Sequence, residues 1–229
     1  MVQPSEQTHG HGHGHRHDDV DPAQFFGREY WDERYGGEQV WSGNPNPLLV
    51  SYAADLQPGT ALDVGSGEGA DVLWLASRGW TVTGVDISEV ALRRCAELAE
   101  QAGAEVAARI TWQQADLLTW APEPGRFDLI SVQFIHLPGP MRESLHRRLA
   151  AAVHQGGTLL VVSHHPADLE IDSMQRPHLP DMFATAEQMA TVLDPAQWDI
   201  ETAAPQREAT DPEGNVVTIR DAVLRAVRR

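Results

Sequence analysis

Apolar and polar positions change period repeatedly along this chain. Short apolar runs at residues 61–64, 80–85, 108–112, 127–134 and 158–164 have the length of buried strands. The stretches between them at 70–78, 89–102 and 141–154 carry the wider apolar spacing of helices. Ser88 stands where it can cap the helix at 89–102, and Gly103 stands where that helix should stop. Strand and helix alternating over 60–165 predict a doubly wound sheet with right-handed connections. Two further strands at 197–202 and 215–227, with the turn residues Asp211-Pro-Glu-Gly214 between them, predict an antiparallel hairpin. The expected fold class is therefore α/β: a Rossmann-like, mostly parallel, seven-stranded sheet with a C-terminal antiparallel hairpin.

The flanking segments are less regular. Pro47 opens a helix expected over 47–56, and 185–193 reads as a short helix. Residues 166–182 show no periodicity and contain Pro166, Pro177 and Pro180; a loop of that length is often functional. Asp21-Pro22 fits the start of a helix whose aromatic residues Phe25, Phe26, Tyr30, Trp31 and Tyr35 read as a core face or as a lid. Residues 1–21 are expected to be a disordered tail and residues 22–229 one domain. His9, His11, His13, His15 and His17 in that tail suit adventitious metal binding, and no catalytic metal is expected.

The sharpest local signal is Ala61-Leu-Asp-Val-Gly-Ser-Gly-Glu-Gly-Ala-Asp-Val72. It reads as a strand, a turn built on Gly65, Gly67 and Gly69, and the start of a helix with free N–H groups. The second strand ends in Asp86, the position at which a carboxylate accepts both hydroxyls of a ribose. A nucleoside-containing cofactor follows. Gly65-Ser-Gly67-Glu-Gly69-Ala70 formally satisfies a dinucleotide fingerprint. Asp63 and Glu68 argue against a pyrophosphate there, since like charges about 4 Å apart repel by about 4 kcal/mol at an effective dielectric of about 20. S-adenosylmethionine (SAM), with a sulfonium and an ammonium and no phosphate, suits the acidic loop.

Charge and composition narrow the partners. The 229 residues hold 17 Lys and Arg against 33 Asp and Glu, a formal charge of -16, which disfavours nucleic acid and anionic membrane surfaces. The single cysteine, Cys95, permits no internal disulfide and is expected to be packed in a helix. No apolar run spans a bilayer and no leader pattern is visible, so the expected location is the cytoplasm. Monomer and homodimer both remain open. The helix at 141–154 carries Arg142, His146, Arg147 and Arg148, expected to be a solvated basic face.

Leu62-Asp-Val-Gly-Ser-Gly-Glu-Gly69 resembles motif I of the class I SAM-dependent methyltransferases. Val85-Asp-Ile-Ser88, Gln114-Ala-Asp-Leu117, Phe127-Asp-Leu-Ile130 and Gln155-Gly-Gly-Thr-Leu-Leu160 resemble the motifs that follow, in the family's order. The resemblance implies that Asp63 lies near the methionine end of SAM and that Gly65, Ser66, Gly67 and Gly69 wrap the cofactor. It also implies that Asp86 and Ile87 hold the ribose region, and that Asp116 and Leu117 meet the adenine. Trp31 to Tyr35 and Val40 to Asn46 are similar to the N-terminal cover of the thiopurine and tellurite-resistance methyltransferases, which places Trp41 and Asn46 at the cofactor or substrate mouth. Gln133 joins the cofactor candidates because it falls at a strand end.

The expected activity is methyl transfer to a small molecule through sulfur, selenium or tellurium, or an aromatic oxygen. His164 and His136 are the candidate general bases, with His165 beside them, because a histidine titrates near neutrality. Gln133-Phe-Ile-His136 replaces the Asn/Asp-Pro-Pro-Tyr motif of adenine methyltransferases, a further argument against nucleic acid. The alternatives are an NAD(P)-linked reductase, which the hairpin disfavours, and a non-catalytic SAM-binding protein.

Overall fold

A computed structural model of the protein describes residues 26–171 and 181–229. The histidine tail, Asp21-Pro22, Phe25 and the prolines at 177 and 180 lie outside the described residues.

The described residues build one eight-stranded sheet. Helices α1 (Arg28–Gly36) and α2 (Pro47–Ala53) lead into β1 (Thr60–Val64), α3 (Ala70–Ser77), β2 (Thr81–Asp86), α4 (Glu89–Ala102), α5 (Ala104–Ala107) and β3 (Ile110–Gln114). Then come β4 (Phe127–Gln133), α6 (Gly139–Ala152), β5 (Val153–His164), a 3-10 turn (Pro166–Glu170) and α7 (Ala186–Ala190). The chain ends with β6 (Trp198–Ala203), β7 (Gln206–Thr210) and β8 (Val216–Arg228). The strand order is β3-β2-β1-β4-β5-β8-β6, with β7 paired to β8. β1 to β5 are parallel; β8 runs antiparallel between β5 and β6.

The core follows from alternation along buried strands. Ala61, Val82, Leu129, Leu160 and Val223 face one side, where Leu49, Val72 and Leu75 of α2 and α3 cover them. Their neighbours Leu62, Ile130, Val161 and Leu224 face the other, under Leu145 and Leu149 of α6 and Met189 of α7. Such two-sided burial is why these strands read as unbroken apolar runs. Ser88 caps α4 as expected, its Oγ accepting from Ala91 N at 3.1 Å, and Gly103 ends the helix at φ 118°.

Three features depart from the sequence reading. The turn at 211–214 joins β7 to β8, so the hairpin has a strand more than expected. Asp211 organises that turn by accepting from Asn215 N at 2.8 Å and Glu213 N at 3.0 Å. α5 is an added short helix directly after Gly103. The basic helix face is not simply solvated. Arg148 reaches the carbonyls of Leu117, Leu118 and Trp120, Arg142 those of Leu137 and Asp181, and His146 is buried.

Order reverses between β1 and β4, whose carboxyl ends bound the crevice where open α/β sheets bind ligands. Gly84, inside β2, lets the Trp112 ring lie close to the sheet: a Cβ there would sit 2.6 Å from that ring and 3.1 Å from Val72 Cγ2. Gly84→Ala is expected to lower unfolding free energy by about 1–3 kcal/mol through overpacking, measured by urea denaturation.

Candidate functional site

The first turn after β1 is made of three left-handed glycines, Gly65, Gly67 and Gly69, at φ 71°, 51° and 80°. Val85 O, at the tip of β2, accepts from Gly65 N and Ser66 N at 2.8 and 3.0 Å. The Asp86 carboxylate then joins the two strand tips. Its oxygens accept from Gly67 N at 2.8 Å and Ser88 N at 2.9 Å. The Cys95 thiol donates to Gly67 O at 3.1 Å, a contact not foreseen for a merely packed cysteine.

Asp63, the penultimate residue of β1, lies directly opposite Ser131 of β4 in the parallel ladder and is buried. Burial and the nearby Asp71 carboxylate push its pKa well above the ordinary value, with only the Ser131 hydroxyl opposing. Asp71, in the first turn of α3, is raised to about 6 by burial, although it accepts from Asn46 N at 2.6 Å. Asp86 is also raised by burial, against the backbone N–H groups that it accepts from. Among the described residues none of these three carboxylates forms an ion pair. Asn46 Nδ2 donates to Gln133 Oε1 at 2.9 Å, and Gln133 Nε2 to Ser131 Oγ at 3.1 Å. A polar chain thus runs Asp71, Asn46, Gln133, Ser131, Asp63 around the crevice.

An N-terminal cover closes over the turn. Tyr35 Oη and Trp41 Nε1 would lie 3.0 and 3.4 Å from a Cβ at Gly67, and Trp41 Nε1 donates to Tyr35 Oη at 3.1 Å. Burial pushes the Tyr35 hydroxyl up, which keeps it protonated. Glu68 does not face the crevice as its place in the turn suggested. Its carboxylate accepts from Val40 N at 3.1 Å and Trp41 N at 2.8 Å, so it latches the cover. Asp32 adds a second tie, accepting from Ser88 Oγ at 2.7 Å.

The other expected residues are distributed around this centre. Ile87 is half-buried and its carbonyl accepts from Gln114 Nε2 at 3.1 Å. Asp116 is exposed and shapes its own turn, accepting from Leu118 N at 2.8 Å. Leu117, half-buried, is held through its carbonyl by Arg148 Nη2 at 2.8 Å. His136 and His164 stack at 4.9 Å with ring planes 12° apart beyond Gln133. His165 points its Nδ1 at Ala167 N and caps the 3-10 turn instead of joining them. A cavity of about 490 Å³ lies at the opposite end of the sheet, by Gly125, His154 and Arg228, and contributes nothing to the crevice. Asp71 and Ser131 were absent from the sequence-based site, while Glu68 and Tyr35 entered it only as parts of the acidic turn and the cover; Asp71, an acid in the first turn of α3, carried a local hint.

This donor and acceptor set fits SAM. Two buried carboxylates and the half-buried Asp71, none paired with a cation among the described residues, suit a sulfonium and an ammonium, and Ser66 Oγ is buried with no partner among the described residues. Fold and site together define a SAM-dependent methyltransferase. A model of the methyltransferase domain matches residues 61–157, and the chain is similar to class I SAM-dependent methyltransferases. It is 26% identical over 186 residues to the 2-heptyl-1-hydroxyquinolin-4(1H)-one methyltransferase of Mycobacteroides abscessus, covering 80% of this chain and 78% of the relative. It is 28% identical over 152 residues to the thiopurine S-methyltransferase of Vibrio cholerae, covering 59% and 69%. The structure of TehB from Haemophilus influenzae superposes with a TM-score of 0.64 at 20% identity, covering 88% and 67%.

Two outcomes follow. Removing the Glu68 latch in Glu68→Ala is expected to speed amide hydrogen exchange at Val40 and Trp41 at least about tenfold, the effect of about 1.4 kcal/mol, read by NMR. Asp71 binds its proton more tightly folded than unfolded. Its stabilising contribution is complete below about pH 4 and is lost as pH rises through about 6. Wild type should therefore lose stability relative to Asp71→Asn by about 1–3 kcal/mol between pH 4 and pH 7, measured by urea denaturation at each pH.

Proposed function

We propose that the protein methylates a small molecule at sulfur, a heavier chalcogen or an aromatic oxygen, using residues 22–229 as one catalytic domain. The observation that carries this reading is the trio at the switch point, the buried Asp63 and Asp86 and the half-buried Asp71, without cationic partners among the described residues. In this reading Asp86 accepts from the ribose hydroxyls, Asp63 and Asp71 face the charged end of the cofactor, and Asp116 and Leu117 border the adenine. Gly65, Ser66, Gly67 and Gly69 let the backbone approach it, while Ile87, Gln133 and Trp41 complete its enclosure.

SAM supplies a methyl group on a sulfonium that departs as a neutral thioether. The chain supplies alignment, which contributes roughly 7–11 kcal/mol in favourable cases. Trp41, Tyr35 and the Glu68 latch hold the cover that excludes water. His136 and His164 stand where an acceptor proton would be taken. The relatives support small acceptors: one acts on a hydroxyquinolone and another on thiopurines. A formal charge of -16 opposes a nucleic acid acceptor. No helix among the described residues is long and apolar enough to cross a membrane.

Tryptophan fluorescence, available from seven Trp residues, tests the ligand. Titration should show binding of SAM and S-adenosylhomocysteine but not of NADH, and Asp86→Ala should weaken SAM at least about tenfold through the lost charge-assisted hydrogen bonds. Unchanged SAM affinity in both Asp63→Ala and Asp86→Ala would defeat the site. Turnover across thiols, phenols and tellurite separates the enzyme from a binding protein.

A further inference from the structure

The strand order brings a second acidic group to the acceptor side. His164, at the end of β5, is the direct register partner of Asp221 in β8, so both side chains leave the same face of the sheet. His164 Nδ1 lies 3.7 Å from Asp221 Oδ1, and Asp221 is 1% exposed. Arg207, on the unforeseen strand β7, donates from Nε to Asp221 Oδ2 at 2.6 Å and from Nη2 to Oδ1 at 3.3 Å. Burial pushes the Asp221 carboxyl up, but the nearby His164 imidazole and the Arg207 hydrogen bonds outweigh it and hold it below its ordinary value. It is an anion that faces an imidazole from one side and a guanidinium from the other.

The two stacked histidines are therefore not equivalent. His136 Nε2 accepts from the backbone N–H of His164 at 3.4 Å, which occupies its lone pair. His164 Nδ1 is the ring nitrogen nearer to Asp221, and a proton placed there by that carboxylate leaves Nε2 as the basic nitrogen. Phe134, in the left-handed region at φ 55°, sets its ring 4.5 Å from the His164 ring, and Phe183 sits 4.8 Å from His136. The four rings form an aromatic wall at the carboxyl ends of β4 and β5.

We propose that His164, oriented by Asp221 and Arg207, is the general base for an acceptor hydroxyl on an aromatic or heteroaromatic ring. This rests on the methyltransferase reading above and narrows its acceptor. A thiol ionises near pH 8.5 and a phenol near pH 10, by the values of about 8.5 and about 10 for cysteine and tyrosine. A few per cent of such a thiol is already the strongly nucleophilic thiolate at neutral pH, whereas a hydroxyl must lose its proton to a base. A planar ring also suits the aromatic wall. The acceptor O–H bond breaks and its proton passes to His164 Nε2. The oxygen pair forms the bond to the methyl carbon as that carbon's bond to sulfur breaks, and the breaking pair stays on sulfur. The proton then leaves His164 for solvent. Asp221 and Arg207 act through His164 and are positioning residues.

The test begins without any acceptor. Long-range 1H–15N spectra of the wild-type imidazoles should show His164 as the Nδ1–H tautomer, and Asp221→Asn should abolish that preference. The same variant should lower kcat with a hydroxyquinoline about 100-fold while KM changes less than about threefold, and leave a thiophenol almost unaffected. An Nε2–H tautomer in the wild type overturns the proposal whether or not the variant folds. So does an undiminished kcat with the hydroxyquinoline in a folded Asp221→Asn protein, and so does wild-type transfer to thiols alone, which leaves the methyltransferase reading intact. Failure of the wild type to bind SAM defeats that broader reading instead.

Discussion

Three carboxylates held out of water around one glycine turn govern this structure. Burying ionisable acids without cations is unfavourable, and here the backbone offsets part of the cost. Gly67 and Ser88 give their N–H groups to Asp86, and Asn46 gives its own to Asp71. Those bonds fix where β1, β2 and the N-terminal cover meet. The left-handed glycines are what allow the N–H of Gly67 to turn towards Asp86 while Tyr35 and Trp41 close over its back. Geometry and charge are thus set by the same few atoms.

The same acid-to-amide contact recurs outside the crevice. Glu68 holds the amides of Val40 and Trp41, and Asp32 holds the amide of Val90 together with the Ser88 hydroxyl. Each joins the cover to the turn or to the start of α4. These contacts explain why so acidic a chain places carboxylates beside helix starts and turns: the N–H groups there have no intrahelical partner. At the far side of the sheet, Asp221 uses side-chain donors instead, because it lies within strands whose amides are already paired.

Much of this was legible from residues 61–164. The apolar runs located the four inner parallel strands, since strands buried on both faces need continuous apolar sequence, while β3, an edge strand without a buried residue, was marked only by the short run at 108–112. Asp63, Asp86 and Gln133 were legible because strand ends converge on one crevice. β7 was not: Gln206-Arg-Glu-Ala-Thr210 has no alternation and is held by backbone pairing to β8. Glu68 misled because a turn residue gives no sign of which way its side chain leaves. Ser131 and Asp221 could be valued only through partners far along the chain, Asp63 and His164, that register alone brings opposite them.

The buried acids of the crevice have a consequence for turnover. Methyl transfer turns a sulfonium into an uncharged thioether, so the ligand loses one positive charge while the wall keeps its sign. The attraction that draws the incoming cofactor is thereby weaker for what remains of it. On the proposed reading, the spent cofactor meets weaker attraction from these three side chains than the cofactor that arrives.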